Sequence, residues 1–287
     1  MMGLFGFKKK SGIDNRIAVG LALSGGGARG VAHIGAIKAL EELGVKISYI
    51  AGTSVGAIVG AAVAAGVEIE TIEDNALKVK KKDIVSGNLI FSSSSTDNLI
   101  NWLGGVIGKD KMFSELDIPL SVVAVDIKSG EEVVIDHGFV CPVCAGSACV
   151  PGVFKPVVWE GKHLVDGGIK NNVPTDVVRK MGADVVIAID VNSTRGSGTE
   201  SMKRLHILSS MVGVLMQSSV NEKLKYANVT LCPDLSKYKS TKIQDAREMI
   251  EIGYNEVMNN KEKILKVLEK KPSRRKKKQW LKEINRQ

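Results

Sequence analysis

Cysteine is scarce. Four residues in a chain of 287 do not make a disulfide framework, so a reducing compartment is expected. Long apolar runs are lacking too: the longest, Ile50 to Gly66, is interrupted by glycines and is short for a membrane span. The start, Met1-Met2-Gly3-Leu4-Phe5-Gly6-Phe7-Lys8-Lys9-Lys10, places its few apolar residues before its charges, the reverse of a secretory signal. A cytoplasmic protein, at most peripheral at the inner membrane surface, is therefore expected. No internal repeat is visible. The chain does not lack apolar residues overall: 44% hydrophobic and 25% charged excludes a disordered class. Its length suffices for one large α/β domain or two small ones with a sizeable core.

The net charge of +9 is confined to the ends. Lys261 to Gln287 holds twelve Lys and Arg against three Asp and Glu, residues 1–16 carry +3, and residues 17–260 carry −3. The body is not basic. Two basic ends flank a nearly neutral globular core.

The body opens on Ile17-Ala18-Val19-Gly20-Leu21-Ala22-Leu23, a continuous apolar run that reads as a buried strand. It breaks at Ser24-Gly25-Gly26-Gly27-Ala28-Arg29-Gly30, and a helix follows with His33, Ile34, Ile37, Leu40 and Leu43 at helical spacing. Ile47 to Ala51 is a second strand, then Gly52-Thr53-Ser54-Val55-Gly56, then an alanine-rich helix ending at Gly66. Strand, tight turn and helix, twice over, build a parallel sheet with covering helices. Residues 68–112 read as a polar, mainly helical excursion that could include a mobile cover. Leu120 to Asp126 and Glu132 to Asp136 read as a hairpin, with further strands at Lys162–Val165, Asp184–Asp190 and Val229–Leu231. One helix is expected from about Ile243 to Lys270, with a basic tail beyond Pro272.

Gly52-Thr53-Ser54-Val55-Gly56 fits the G-x-S-x-G nucleophile elbow, whose sharp strand-to-helix turn needs small neighbours and exposes the serine hydroxyl beside a helix amino terminus. Five residues can fit a pattern by chance; the strand before and the small-residue helix after are the context that supports this one. Gly25, Gly27 and Gly30 also fit G-x-G-x-x-G, a dinucleotide fingerprint. That reading wants an acidic residue at the end of the second strand, where the chain has Ala51-Gly52-Thr53-Ser54 instead. A glycine-rich loop offers backbone N–H groups to an oxyanion as well as to a phosphate, and an oxyanion hole is the better use beside a serine nucleophile.

A serine nucleophile needs a base, and histidine is rare. His33 reads as core-facing or capping, and His137, His163 and His206 stand in segments without catalytic context. Asp166, in Leu164-Val165-Asp166-Gly167-Gly168, follows a short strand and is embedded in glycines that allow close approach. It could equally be an aspartate that opens a turn. Cys141-Pro142-Val143-Cys144 with Cys149 and His137 is a weak zinc pattern, set against buried thiols that behave as small hydrophobes; no metal is assigned.

The glycine-rich loop, the serine elbow and Asp166-Gly167-Gly168, in that order, resemble the patatin-like phospholipase family, particularly its small bacterial members. The resemblance continues through Gly30-Val31-Ala32-His33-Ile34-Gly35-Ala36, Ile118-Pro119-Leu120, Val125-Asp126, Ser147 to Phe154 and Asn171-Asn172-Val173-Pro174, from about Leu21 to Asp190. It implies a three-layer α/β/α domain with a mostly parallel central sheet and a helical C-terminal extension. It implies a Ser–Asp dyad without histidine: Ser54 as nucleophile and Asp166 as proton acceptor, with Gly167 and Gly168 shaping the loop around the aspartate. The oxyanion hole would be the segment Gly25, Gly26, Gly27, Ala28, Arg29 and Gly30, its donors the N–H groups of Gly26, Gly27 and Ala28, with Arg29 fixing the loop and Gly52 and Gly56 forming the elbow. Ala145-Gly146-Ser147 departs from the family's common Arg-Ala-Ser.

The implied activity is hydrolysis of phospholipid or other acyl esters with no cofactor; the alternative is a regulatory or scaffold protein that keeps the domain with little turnover. The expected organisation is a basic segment over 1–16, the patatin-like domain over 17–195, a helical extension packed on it over 196–270 and a basic tail over 271–287. The basic termini could touch anionic membrane or be simply solvated, with nucleic acid trailing both.

Overall fold

A computed structural model describes residues 13–14, 16–84, 94–193, 220–269 and 271–286. Its centre is an eight-stranded mixed sheet: β1 (Val19–Leu23), β2 (Ile47–Thr53), β3 (Leu120–Asp126), β4 (Glu132–Ile135), β5 (Val157–Trp159), β6 (Lys162–Asp166), β7 (Val185–Ile189) and β8 (Val229–Leu231). The order is β5-β6-β3-β2-β1-β7-β8, with β4 on β3. The run from β3 to β8 is parallel, and β4, β5 and β6 pair antiparallel.

Side-chain alternation sorts the two faces. Val19, Leu21 and Leu23 of β1 and Val185, Ile187 and Ile189 of β7 join the larger core cluster. It is covered by α1 (Ala32–Glu42), α2 (Val55–Ala64), α3 (Ile69–Lys78), α5 (Asp97–Ile107) and α6 (Val140–Ser147), reached past the short α4 (Lys81–Ile84). Ala22, Val186 and Ala188 point the other way, where α7 (Thr175–Met181) supplies Val177 and Val178. Small residues on that face let α7 seat closely, and Val220 joins the same cluster. The result is the expected three-layer arrangement, with helices on both sides of a mostly parallel sheet.

The second half of the chain departs from its sequence pattern in two places. The helix expected from Ile243 to Lys270 is two helices, α8 (Ala246–Asn259) and α9 (Lys261–Leu268). Asn260 breaks it: its side chain turns back on Glu256 and competes with the helical ladder. α8 lies tight on α1, because a side chain at Gly35 would strike the Ile250 carbonyl and one at Gly253 the Ala32 carbonyl. The basic tail, expected only as a charged segment beyond Pro272, contains α10 (Arg274–Ile284), started by Ser273 accepting from Lys276 N–H. Within the excursion over 68–112, residues 85–93 lie outside the described set, as does His206. Among the described residues no helix is long and apolar enough to cross a membrane.

Candidate active site

The pairing register itself brings two candidate residues together. Val122 and Val123 pair with both β2 and β4, and Ala124 and Val125 pair with both β4 and β6. A strand has two edges, so β2 and β6 must share the one that β4 does not use. They meet there end to end, Thr53 opposite Val123 and Asp166 opposite Ala124. Ser54, one residue beyond β2, therefore lies at the tip of β6.

Ser54 sits at φ 54°, a backbone region unfavourable to any residue with a side chain, between the end of β2 and the start of α2. Only small neighbours permit this turn. A side chain at Gly52 would meet the backbone of Gly56 and Ala57, and one at Gly56 would meet the Leu23 carbonyl at 2.3 Å. The Ser54 N–H donates to Ser147 Oγ at 2.8 Å, and Ser147 Oγ donates to the Val123 carbonyl at 2.5 Å. Ser147 thus ties the elbow to β3, a role the sequence pattern did not show because it spans 93 residues. Ala145 is fully buried in α6.

Asp166 ends β6 and is 1% exposed. Burial pushes its carboxyl up to about 6, against the hydrogen bonds it accepts from Gly168 N–H, at 2.8 Å, and from the Ser54 hydroxyl. Gly167 and Gly168 form the 3-10 turn that follows. Among the described histidines none supplies a base to Ser54. His33 is buried with its Nε2 on the Ser24 carbonyl at 2.9 Å, and burial lowers it to about 4. His137 is on the surface between Asp136 and Glu160, and His163 follows Lys162 along β6.

The glycine-rich loop leaves β1 beside the elbow. Gly25 N–H donates to the Asn172 carbonyl at 3.3 Å. Gly27 to Val31 form a 3-10 turn, with Gly30 seated against Val55. Arg29 is buried, and its Nε donates to the Tyr238 carbonyl at 2.8 Å. The Ala28 N–H donates to the Ser240 carbonyl at 2.8 Å. That engages one of the three amides expected to face an oxyanion; for those of Gly26 and Gly27 no acceptor is found among the described residues.

The Cys141, Cys144 and Cys149 thiols are buried, and burial raises all three, to about 11 for Cys141 and about 12 for Cys149. Among the described residues no cluster of His, Cys, Asp or Glu could hold a metal ion. Asp126 is a structural carboxylate: it accepts from His163 N–H at 2.9 Å and closes the β3–β4 turn through Lys128 and Ser129.

A three-layer α/β fold with a strained serine elbow, a glycine loop at the adjacent strand end and a buried aspartate in contact with the serine defines the class. The chain matches the family model for patatin-like phospholipases over residues 21–179 and belongs to that family. It is 30% identical over 273 residues to patatin-like phospholipase domain-containing protein 7 of Mus musculus, covering 83% of this chain. It is 34% identical over 183 residues to an uncharacterized NTE family protein of Mycobacterium bovis, covering 61% of this chain and 49% of that one. The chain spans only about 20% of the mouse protein and of a Caenorhabditis elegans relative. Among solved structures it shares its fold with VipD from Legionella pneumophila, at TM-score 0.50 and 16% identity, covering 86% of this chain and 67% of that one. The type III effector ExoU aligns at TM-score 0.50 and 13% identity, over 90% of this chain and 54% of that one.

Proposed function

We propose that the protein hydrolyses lipid acyl esters, in the manner of a phospholipase A or lysophospholipase, through Ser54, Asp166 and an acyl-enzyme. The observation that carries this reading is the pairing of a serine at positive φ with a buried carboxyl. In the first half-reaction Ser54 Oγ attacks the acyl carbonyl and its proton passes to the Asp166 carboxylate. Collapse of the tetrahedral intermediate breaks the bond to the alcohol, which leaves with that proton. Water, deprotonated by Asp166, then attacks the acyl-serine, and collapse frees the fatty acid while Ser54 Oγ takes the proton back from Asp166. A carboxyl raised to about 6 suits this role better than an ordinary one, being a stronger base yet still ionised at neutral pH. In this reading residues 17–195 carry the chemistry and 196–270 form an extension serving it.

The partner implied is an anionic lipid surface. The C-terminal helix α10 is strongly basic, but it docks at the amino ends of β1 and β7, whereas Ser54 lies at the carboxyl ends, about 15–20 Å along the strands. Lys237, Lys239 and Lys242 are exposed on the turn whose Tyr238 and Ser240 carbonyls hold the glycine loop. We assign them the lipid contact.

Labelling with a fluorophosphonate, read by intact mass and peptide mapping, tests the chemistry. A single adduct on Ser54, absent from Ser54→Ala, is the expected result. A folded protein that takes no label and turns over no ester would replace this reading with a scaffold role.

A further inference from the structure

Several of the hydrogen bonds that shape the glycine loop come from beyond residue 179, where the family match stops, alongside the Asn172 carbonyl within it. Asn192 is the central one. It follows β7 and is 8% exposed. Its Nδ2 donates to the Gly25 carbonyl at 2.7 Å, and its Oδ1 accepts from Arg29 Nη1 at 3.5 Å. A guanidinium only donates and a carbonyl only accepts, so the two contacts fix the carboxamide in one orientation. Asn192 is itself anchored, its N–H on Asp190 Oδ1 at 3.0 Å, while the Val191 N–H holds Ser24 Oγ at 3.0 Å.

A trans peptide points its carbonyl and the next N–H in opposite directions. Holding the Gly25 carbonyl against Asn192 therefore turns the Gly26 N–H away from Asn192. At the far end of the loop the Ala28 N–H is fixed on the Ser240 carbonyl. Between these two anchors stand the amides of Gly26 and Gly27.

We infer that Asn192 is a positioning residue for the oxyanion hole, setting the peptide that presents the Gly26 N–H, and that the donors are Gly26 and Gly27 rather than Ala28. The inference rests on the acyl-transfer reading and adds to it a residue outside the family-matched stretch. Its function is to orient a donor, not to touch substrate.

The test uses the full chain with p-nitrophenyl butyrate and its thionoester, in which sulfur replaces the carbonyl oxygen. Sulfur is larger and a poorer hydrogen-bond acceptor, so an oriented oxyanion hole favours the oxygen ester. Asn192→Ala is expected to lower kcat on the oxygen ester on the order of 10²-fold, as for loss of one oxyanion donor. KM is expected to stay within about 2-fold under this mechanism, and the preference for oxygen over sulfur is expected to shrink. Asn192→Asp, nearly isosteric but unable to donate to Gly25, is expected to do the same in a chain that still unfolds cooperatively, at a lower thermal midpoint because a buried acceptor then faces the Gly25 carbonyl. An unchanged oxygen-to-sulfur preference in both variants, alongside Ser54-dependent turnover, overturns the positioning role and leaves the hydrolase reading standing. Turnover that survives Ser54→Ala unchanged overturns both.

Discussion

Two buried aspartates at opposite ends of the same sheet have opposite electrostatic fates. Asp166, at the carboxyl end, has no cation beside it among the described residues, and burial raises its carboxyl to about 6. Asp184, at the amino end, is equally shut off from solvent, and burial pushes it the same way. There, however, Lys277 at 2.5 Å, the Ala18 N–H at 3.0 Å and Lys271 at 2.9 Å outweigh burial and hold it below the ordinary carboxylate range. Burial alone does not make a base. A reactive carboxyl results where burial is only partly offset by neutral hydrogen-bond donors, and a structural one where the fold spends lysines on it.

The largest effect expected from breaking this contrast is on turnover. Asp166→Asn should lower kcat on p-nitrophenyl butyrate by at least about 10³-fold, because the amide cannot accept the serine proton. Asp184→Asn should leave kcat within about 2-fold. Comparable losses in the two variants would mean that the amino end of the sheet shapes the site.

The pH profile follows from the same carboxyl. Its base form is lost as pH falls, so kcat/KM should hold level above pH 7 and drop about tenfold per unit below about 6. A profile flat down to pH 4.5 would show that the acceptor is an ordinary, solvated carboxylate.

Stability should separate the two residues by sign. Asp166 titrates higher in the folded chain than the unfolded value of 3.8, so the stability it contributes is present below that value and lost as pH rises through about 6. Asp166→Asn removes the charge that burial opposes. It should stabilise the protein at pH 8 by up to about 3 kcal/mol, the equivalent of two pH units, with no gain at pH 4. Asp184 is the reverse case: its contribution is present above the unfolded value and lost as pH falls through its lowered folded one. Asp184→Asn should cost about 1–3 kcal/mol at pH 7 by weakening two charged hydrogen bonds. Urea unfolding at both pH values reads the two signs side by side.

How far the sequence foretold this contrast depends on the range of the contacts. The glycine loop, the elbow and the strands before them were legible, because buried parallel strands read as apolar runs and their turns demand glycine locally. That Ser54 touches Asp166 was legible only through family resemblance, since the register of β2, β4 and β6 on β3 is set by tertiary packing. Asp184 looked like any residue opening a strand; its lysine partner lies 93 residues on. The tail read as either solvated or touching anionic membrane, for the same reason. Its charge pattern showed basic side chains and gave no sign of the carboxylate that receives two of them.

The smallest effect, and the one that sharpens the comparison most, concerns what holds α10 down. Two kinds of contact dock it: the ion pairs from Lys271 and Lys277 to Asp184, and Trp280 beneath the Arg179 guanidinium at 3.8 Å. Arg179 is fixed from behind by its bonds to the Tyr226 and Asp184 carbonyls, so it offers Trp280 a rigid platform. Lys271 and Lys277 are 49% and 31% exposed, which lets salt reach them, and the Debye length is about 3 Å at 1 M against about 10 Å at 0.1 M. Raising NaCl to 1 M should therefore speed hydrogen exchange across residues 274–284 several-fold, a loss below about 1 kcal/mol, while β7 and α7 stay unchanged. If exchange in the tail does not respond, Trp280 and Ile284 carry the docking by packing. The lysines would then compensate Asp184 without anchoring the helix that bears Lys277.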